Sequence, residues 1–269
     1  MKKVTVSFFR EKKKRHKRIT ALTAYDTPMA EILDRVGIDL ILVGDSLGMV
    51  LLGHTSTRFV TMEEMIHHAK AVRRGVKRAY LVGDMPYRSY ETPASAYRNA
   101  CRFIEEAGCD AVKLEGGKAV VPVLRFLRKK KIQVQGHLGL LPQSVKPGTP
   151  FRLQAKDPLS AKQLMEEASL LEKEGVFSII LECIPYEVAH LVTKRLKVPT
   201  IGIGAGPYCD GQIVVTYDLL GLFQKFKPRF VKSYADLTQK VERAVATYRR
   251  EVLGRSFPTL RHSFSMPHV

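Results

Sequence analysis

The stretch Ala111-Val112-Lys113-Leu114-Glu115-Gly116-Gly117, followed by KAVVPVLRFLRKK over 118–130, holds the unit from which the chain is built. A short, mostly apolar run, of the length of a strand buried on both faces, ends in an acid and two glycines. A segment with helical apolar spacing follows it at once. Side chains on a strand alternate, so Lys113 and Glu115 share one face and both point inward if either does.

The same order of apolar run, polar or glycine turn and helical pattern recurs on both sides. Strands are predicted at 19–24, 40–43, 79–82, 111–114, 132–135, 178–181, 200–203 and 230–232. Helices are predicted at 28–36, 62–74, 93–107, 118–130, 161–174, 185–195 and 234–252. Thr61 with Glu64 forms a capping-box pattern, and Pro93 after Thr92 is a first-turn proline behind a cap. Gly37, Gly75, Gly108 and Gly175 stand where helices are expected to stop. Eight strands with intervening helices in 269 residues predict a single (β/α)8 TIM barrel over 1–269, with 255–269 as a C-terminal tail. A doubly wound open sheet is the rival, because closure cannot be read from strand order alone.

Composition narrows the function classes. The apolar fraction of 45% is enough for a large core without disulfide or metal staples. The four cysteines form no C-x-x-C pair and are read as reduced thiols. No apolar run approaches the ~20 residues of a membrane span. The N-terminus lacks a secretory apolar stretch, so a cytoplasmic protein is expected. A net charge of +18, with REKKKRHKR at 10–18, resembles a nucleic-acid binder in composition. No aromatic-basic interleaving, zinc-ligand spacing or helix-turn-helix pattern accompanies it. We therefore expect no nucleic-acid partner, and a basic surface that steers anionic substrates.

In a barrel, polar residues at the C-terminal strand ends converge on one site. Asp45-Ser46 follows strand two, Asp84 strand three, Glu115 strand four, His137 strand five and Glu182 strand six. One acid in such a place is usually a helix cap. Several acids in register repel one another and call for a cation. Oxygen donors without a cysteine or multi-histidine set favour Mg²⁺ over Zn²⁺. A 2-oxo acid would chelate that ion, and Glu182, apart from the other acids, is the candidate base for the neighbouring C–H. Lys113 either binds the substrate carboxylate or enolate as a cation or forms a Schiff base; its acidic neighbours favour the cation. His137 is read as a substrate hydrogen-bond partner, while His54, His67 and His68 are assigned no role. The glycines at 202–206 are not a dinucleotide fingerprint, since residue 207 is Pro, and are expected to let backbone approach a ligand.

These residues lie in longer motifs. LTAYD at 22–26, VGDSLGMV at 43–50, GH at 53–54, AVRRG at 71–75, VKLEGG at 112–117, GHLGLLPQSV at 136–145, LEC at 181–183, IGIGAG at 201–206 and DGQ at 210–212 resemble the ketopantoate hydroxymethyltransferase family. The similarity runs from about Lys2 to His262–Phe264 and covers nearly the whole chain. It implies a barrel of the phosphoenolpyruvate/pyruvate-binding type and one Mg²⁺ per subunit at Asp45, Asp84 and Glu115. It implies a 2-oxo acid in contact with Ser46, Asp84 and Lys113, and Glu182 as proton acceptor; Asp45 and His137 are read as further substrate contacts. The co-substrate it implies is 5,10-methylenetetrahydrofolate, and the assembly a homodecamer or other large homo-oligomer. The segment 146–155 departs from the glycine-rich pattern of many members. The rival reading is a lyase or mutase of the phosphoenolpyruvate mutase/isocitrate lyase type, whose reactive loop cysteine has no counterpart between strands four and five.

Overall fold

In the computed structural model, which describes residues 2–226 and 228–266, the chain divides into two compact units, 1–216 and 217–269. The first unit runs α1 (Val6–Lys14), β1 (Ile19–Thr23), α2 (Thr27–Val36), β2 (Leu40–Val43), α3 (Leu47–Val50), α4 (Met62–Gly75), β3 (Tyr80–Asp84), α5 (Pro93–Cys101) and β4 (Ala111–Glu115). It continues with α6 (Val121–Lys129), β5 (Val134–Gly139), α7 (Pro158–Glu174), β6 (Ser178–Glu182), α8 (Tyr186–Arg195), β7 (Thr200–Ile203) and β8 (Gly211–Val214). All eight strands pair in parallel in sequence order, and β8 closes on β1. The closed barrel settles the choice against an open sheet.

The eighth strand differs from expectation. It is Gly211–Val214, paired with Ile19–Leu22 of β1, and residues 230–232 form a turn and coil. The strand is four residues long and alternates buried with less buried positions, a weaker pattern in sequence than Phe230-Val231. Strands three to six also extend further than predicted, so Asp84, Glu115 and Glu182 are their last residues and His137 lies inside β5.

The capping box at Thr61–Glu64 and the Thr92 cap before Pro93 both form. Gly37 and Gly175 take the left-handed C-cap conformation. Gly75 does not; it is the last residue of α4, and a Cβ there would meet the Thr27 carbonyl at 2.6 Å, so it serves close packing against α2. The segment 93–107 starts as α5 and loosens into a π turn at Arg102–Glu106. The segment 118–130 opens with a 3-10 turn, Lys118–Val120, before α6.

Helix α1 arises where only a charged run was read. Phe9 is buried against Tyr80 and Phe177 (ring centroids 5.4 and 5.9 Å) among residues from the first positions of several strands, so α1 covers the N-terminal end of the barrel. Burying such a ring is worth about 1.5–3 kcal/mol. Lys12 pairs with Asp39 at 2.6 Å and Lys13 with Asp210 at 2.7 Å. Part of the basic run is therefore spent inside the fold.

Side chains alternate along the strands, with Ile19, Ala21, Leu40, Leu42, Tyr80, Val82, Ala111 and Ile180 in the barrel core. The same alternation carries Asp84, Lys113, Glu115, His137 and Glu182 above that core, at the opposite end from α1. The second unit contains most of α9 (Thr216–Leu220) and α10 (Leu237–Leu253). Asp236 caps α10 by accepting from Gln239 N at 3.1 Å. In the expected tail, residues 260–262 form a 3-10 turn, and 267–269 lie outside the described residues. No described helix is long and apolar enough to cross a membrane.

Candidate active site

Strand register brings the predicted residues together. Asp84 pairs with Lys113 across β3 and β4, Glu115 with His137 across β4 and β5, and Gly139 with Glu182 across β5 and β6. Lys113 Nζ donates to Asp84 Oδ1 and Oδ2 at 2.7 and 2.8 Å and to Glu115 Oε1 at 3.4 Å. The Asp45 backbone N–H donates to Asp84 Oδ2 at 3.2 Å. All four residues are buried. Asp45 is no helix cap: its carboxylate accepts from Gln143 Nε2 at 2.9 Å.

His137 lies between two carboxylates. Nδ1 is 3.5 Å from Glu115 Oε1 and Nε2 is 3.0 Å from Glu182 Oε2. These are ion-pair distances without aligned hydrogen bonds, and neither nitrogen has another partner among the described residues. Ser46 Oγ contacts Tyr25 Oη at 2.9 Å, and His68 Nδ1 lies 2.7 Å from the Tyr25 carbonyl. One of the unassigned histidines thus braces a residue of the mouth.

The electrostatics separate the acids. Burial, then the charge of Asp84, pushes Asp45 well above the usual carboxylate range, with Lys113 opposing. Asp84 is also raised by burial and by Glu115, although Lys113 again opposes. Glu115 is lowered, because Lys113, His137 and the Gln143 N–H together outweigh its burial. Burial and Lys113 push His137 down, but Glu115 and Glu182 raise it to about 9. Lys113 is raised in spite of burial by Asp84, Glu115 and Asp45. Lys113 pairs directly with Asp84 and Glu115 but not with Asp45, whose carboxylate meets only the neutral Gln143 amide in hydrogen bonds among the described residues.

Oxygen donors with excess negative charge suit a hard divalent ion. Among the described residues no three His, Cys, Asp or Glu side chains are grouped so as to hold a metal ion, so Asp45, Asp84 and Glu115 do not form a three-carboxylate site as they stand. Mg²⁺ seldom needs one, since it usually takes one or two carboxylates and fills its shell with water and substrate.

The turn after β6 is tightly built. The Glu182 carbonyl accepts from Leu140 N at 2.8 Å, and a Cβ on Gly139 (φ +94°) would lie 2.2 Å from that oxygen. Cys183 follows at φ +47°. Its carbonyl accepts from Gln154 N at 2.8 Å, which ties the divergent 146–155 segment to the site. Burial and Glu182 push the Cys183 thiol up to about 12, unlike an activated thiolate. Two glycines of the 202–206 run are packed closely: a Cβ on Gly202, inside β7, would meet Cys209 Sγ at 3.0 Å, and one on Gly206 would meet Tyr186 Cβ at 2.3 Å.

Sequence reasoning missed Gln143, Tyr25 and Tyr90, whose Oη donates to Gln143 Oε1 at 2.6 Å. Two of them stand inside quoted motifs, GHLGLLPQSV and LTAYD, but as neutral residues in turns they gave no charge signal.

The family model for ketopantoate hydroxymethyltransferase matches residues 3–260. The chain belongs to this family. A 3-methyl-2-oxobutanoate hydroxymethyltransferase of Syntrophomonas wolfei is 51% identical over 267 residues, covering 99% of this chain and 97% of that protein. One of Acetivibrio thermocellus is 50% identical over 265 residues, covering 98% and 94%. Among solved structures, phosphonopyruvate hydrolase in complex with oxalate and Mg²⁺ superposes with a TM-score of 0.61 at 12% identity, covering 99% of this chain and 92% of that one. A 2,3-dimethylmalate lyase of the PEP mutase/isocitrate lyase superfamily gives 0.60 at 12% identity, covering 97% and 91%. At that identity the likeness speaks for the barrel fold alone. Membership of the hydroxymethyltransferase family makes the chain an enzyme of the transferase class.

Proposed function

We propose that this enzyme transfers a hydroxymethyl group from 5,10-methylenetetrahydrofolate to 3-methyl-2-oxobutanoate, giving 2-dehydropantoate for pantothenate and coenzyme A synthesis. The observation that carries the reading is the buried set Asp45, Asp84, Lys113 and Glu115 facing His137 and Glu182, in a chain about half identical to relatives bearing that name. Four carboxylates face two cations, Lys113 and His137, which leaves two negative charges for one divalent ion to offset.

Asp45 and Asp84 would hold that ion, Mg²⁺, with Glu115 supplying the third negative charge of the expected ligand set. When bound, the ion offsets charge that builds on the keto oxygen as the neighbouring carbon is deprotonated. Lys113 binds the substrate carboxylate as a cation, and Ser46, held by Tyr25, donates to the same substrate. Glu182 accepts the C3 proton. Its Oε2 faces His137, which fixes the carboxylate's direction and supports the substrate contact. The C3 electron pair forms the new C–C bond to the methylene carbon of the folate, and both C–N bonds to that carbon break in the course of the transfer. Water supplies the hydroxyl oxygen, and tetrahydrofolate leaves with the nitrogens protonated. The barrel works in the cytoplasm as a large homo-oligomer, a decamer by family resemblance. The apolar stripe Val241, Val245, Tyr248 and Val252 on α10, at 4-3-4 spacing, supports self-association.

Proton exchange at C3 of 3-methyl-2-oxobutanoate in D₂O, followed by NMR without folate, tests the reading. Exchange that EDTA abolishes and Mg²⁺ restores is expected. Absence of exchange, with and without tetrahydrofolate, would overturn it.

A further inference from the structure

Gln143 stands in the 3-10 turn Pro142–Ser144 that follows β5 and is 3% exposed. Its Nε2 donates to Asp45 Oδ2 and to the Met85 carbonyl, both at 2.9 Å. Its Oε1 accepts from Tyr90 Oη at 2.6 Å, and its backbone N–H donates to Glu115 Oε2 at 3.1 Å. The amide's orientation follows from its partners. A carboxylate and a main-chain carbonyl accept hydrogen bonds, so the NH₂ group must face them, and the phenol proton then goes to Oε1.

We propose that Gln143 is a positioning residue for the acidic cluster, holding Asp45 and Glu115 in place for a divalent cation, and that Tyr90 fixes Gln143 for this task. The inference rests on the metal-assisted reading above. Asp45, Met85 and Glu115 belong to the ends of three different strands, and one residue from a fourth reaches all of them. Carboxylates that repel each other drift apart unless something outside their own strands holds them. A neutral amide holds Asp45 through one oxygen without cancelling the charge that a cation needs, as a lysine would, or adding repulsion, as an acid would. Glu115 is held by the Gln143 main chain, so side-chain variants of Gln143 keep that donor and remove the contacts to Asp45 and Met85.

The test uses the full chain, made metal-free, and three variants: Gln143→Met, Tyr90→Phe and the double variant. Mg²⁺ alone is titrated by calorimetry, and kcat and KM for 3-methyl-2-oxobutanoate are measured against Mg²⁺ concentration. Gln143→Met should weaken Mg²⁺ binding by about 10–100-fold, with kcat recovering at saturating Mg²⁺. Tyr90→Phe should weaken it less, and the double variant should match Gln143→Met, because Tyr90 acts through the amide. Wild-type Mg²⁺ affinity in folded Gln143→Met, or full additivity of the two losses, would overturn the proposal. If Gln143→Met does not fold, Tyr90→Phe carries the same test, and unchanged Mg²⁺ affinity there counts against it. A wild-type chain that binds no Mg²⁺ and exchanges C3 protons in EDTA would show that the metal reading failed first, and the inference with it.

Discussion

His137 Nε2 lies 3.0 Å from Glu182 Oε2, and the two side chains are 2% and 13% exposed. The histidine's other nitrogen faces Glu115, so a single ring joins the proposed base to the acidic cluster across the mouth. Glu182 ends β6, while Asp45, Asp84 and Glu115 stand at the ends of β2, β3 and β4, so its partner is His137 and not the proposed ligand set. Replacing it with Gln keeps the shape and removes the proton acceptor. C3 exchange in Glu182→Gln should fall by about 10²–10⁴-fold, while calorimetry finds Mg²⁺ affinity close to wild type. A matching loss of Mg²⁺ affinity would place Glu182 among the ligands instead.

The acids and Lys113 were legible because they are charged residues at recurring positions after apolar runs, and strand alternation then fixed which of them share a face. The barrel was legible for the same reason. β8 was not, because Gly211-Gln212-Ile213-Val214 is short, begins with glycine and leaves Gln212 exposed. α1 was not, because its lysines hid the residues that matter for packing, Phe9 with Val6 and Phe8 beside it. Gln143 escaped because its role exists only once the turn after β5 folds back over strands two to four, a long-range contact with no local pattern.

Gly139 illustrates a constraint that only the fold reveals. Its φ is +94°, and a Cβ would collide with the Glu182 carbonyl. Gly139→Ala therefore meets both backbone strain and a steric clash with the strand that presents the base. Unfolding in urea should show a loss of about 2–3 kcal/mol or more, and kcat should fall with KM little changed as Glu182 shifts. Stability and kcat equal to wild type would show that the β5–β6 ends yield freely.

Asp39 gives a pH signature far from the chemistry. Burial pushes its carboxyl up, but Lys12, the Thr20 N–H and Arg78 together outweigh burial and hold it below the usual value. A depressed folded value means the carboxylate stabilises the fold above the unfolded value of 3.8 and loses that effect as pH falls through the lower folded one. Asp39→Asn should cost about 2 kcal/mol at neutral pH, and the gap in Tm between variant and wild type should narrow below about pH 4. A gap that widens in acid would contradict the sign.

Lys113 decides between two chemistries. A Schiff base needs a neutral amine, yet Nζ donates to three carboxylate oxygens from Asp84 and Glu115, and these neighbours raise its pKa despite burial. The charged form is the one such a pocket selects. Treatment with 3-methyl-2-oxobutanoate and borohydride should leave Lys113 unmodified by mass, and activity intact after the reagent is removed. Lys113→Met, which keeps length and loses charge, should raise KM for the oxo acid and also lower kcat, because it leaves Asp84 and Glu115 without their shared cation. A stable adduct on Lys113 would replace the carboxylate role with covalent catalysis.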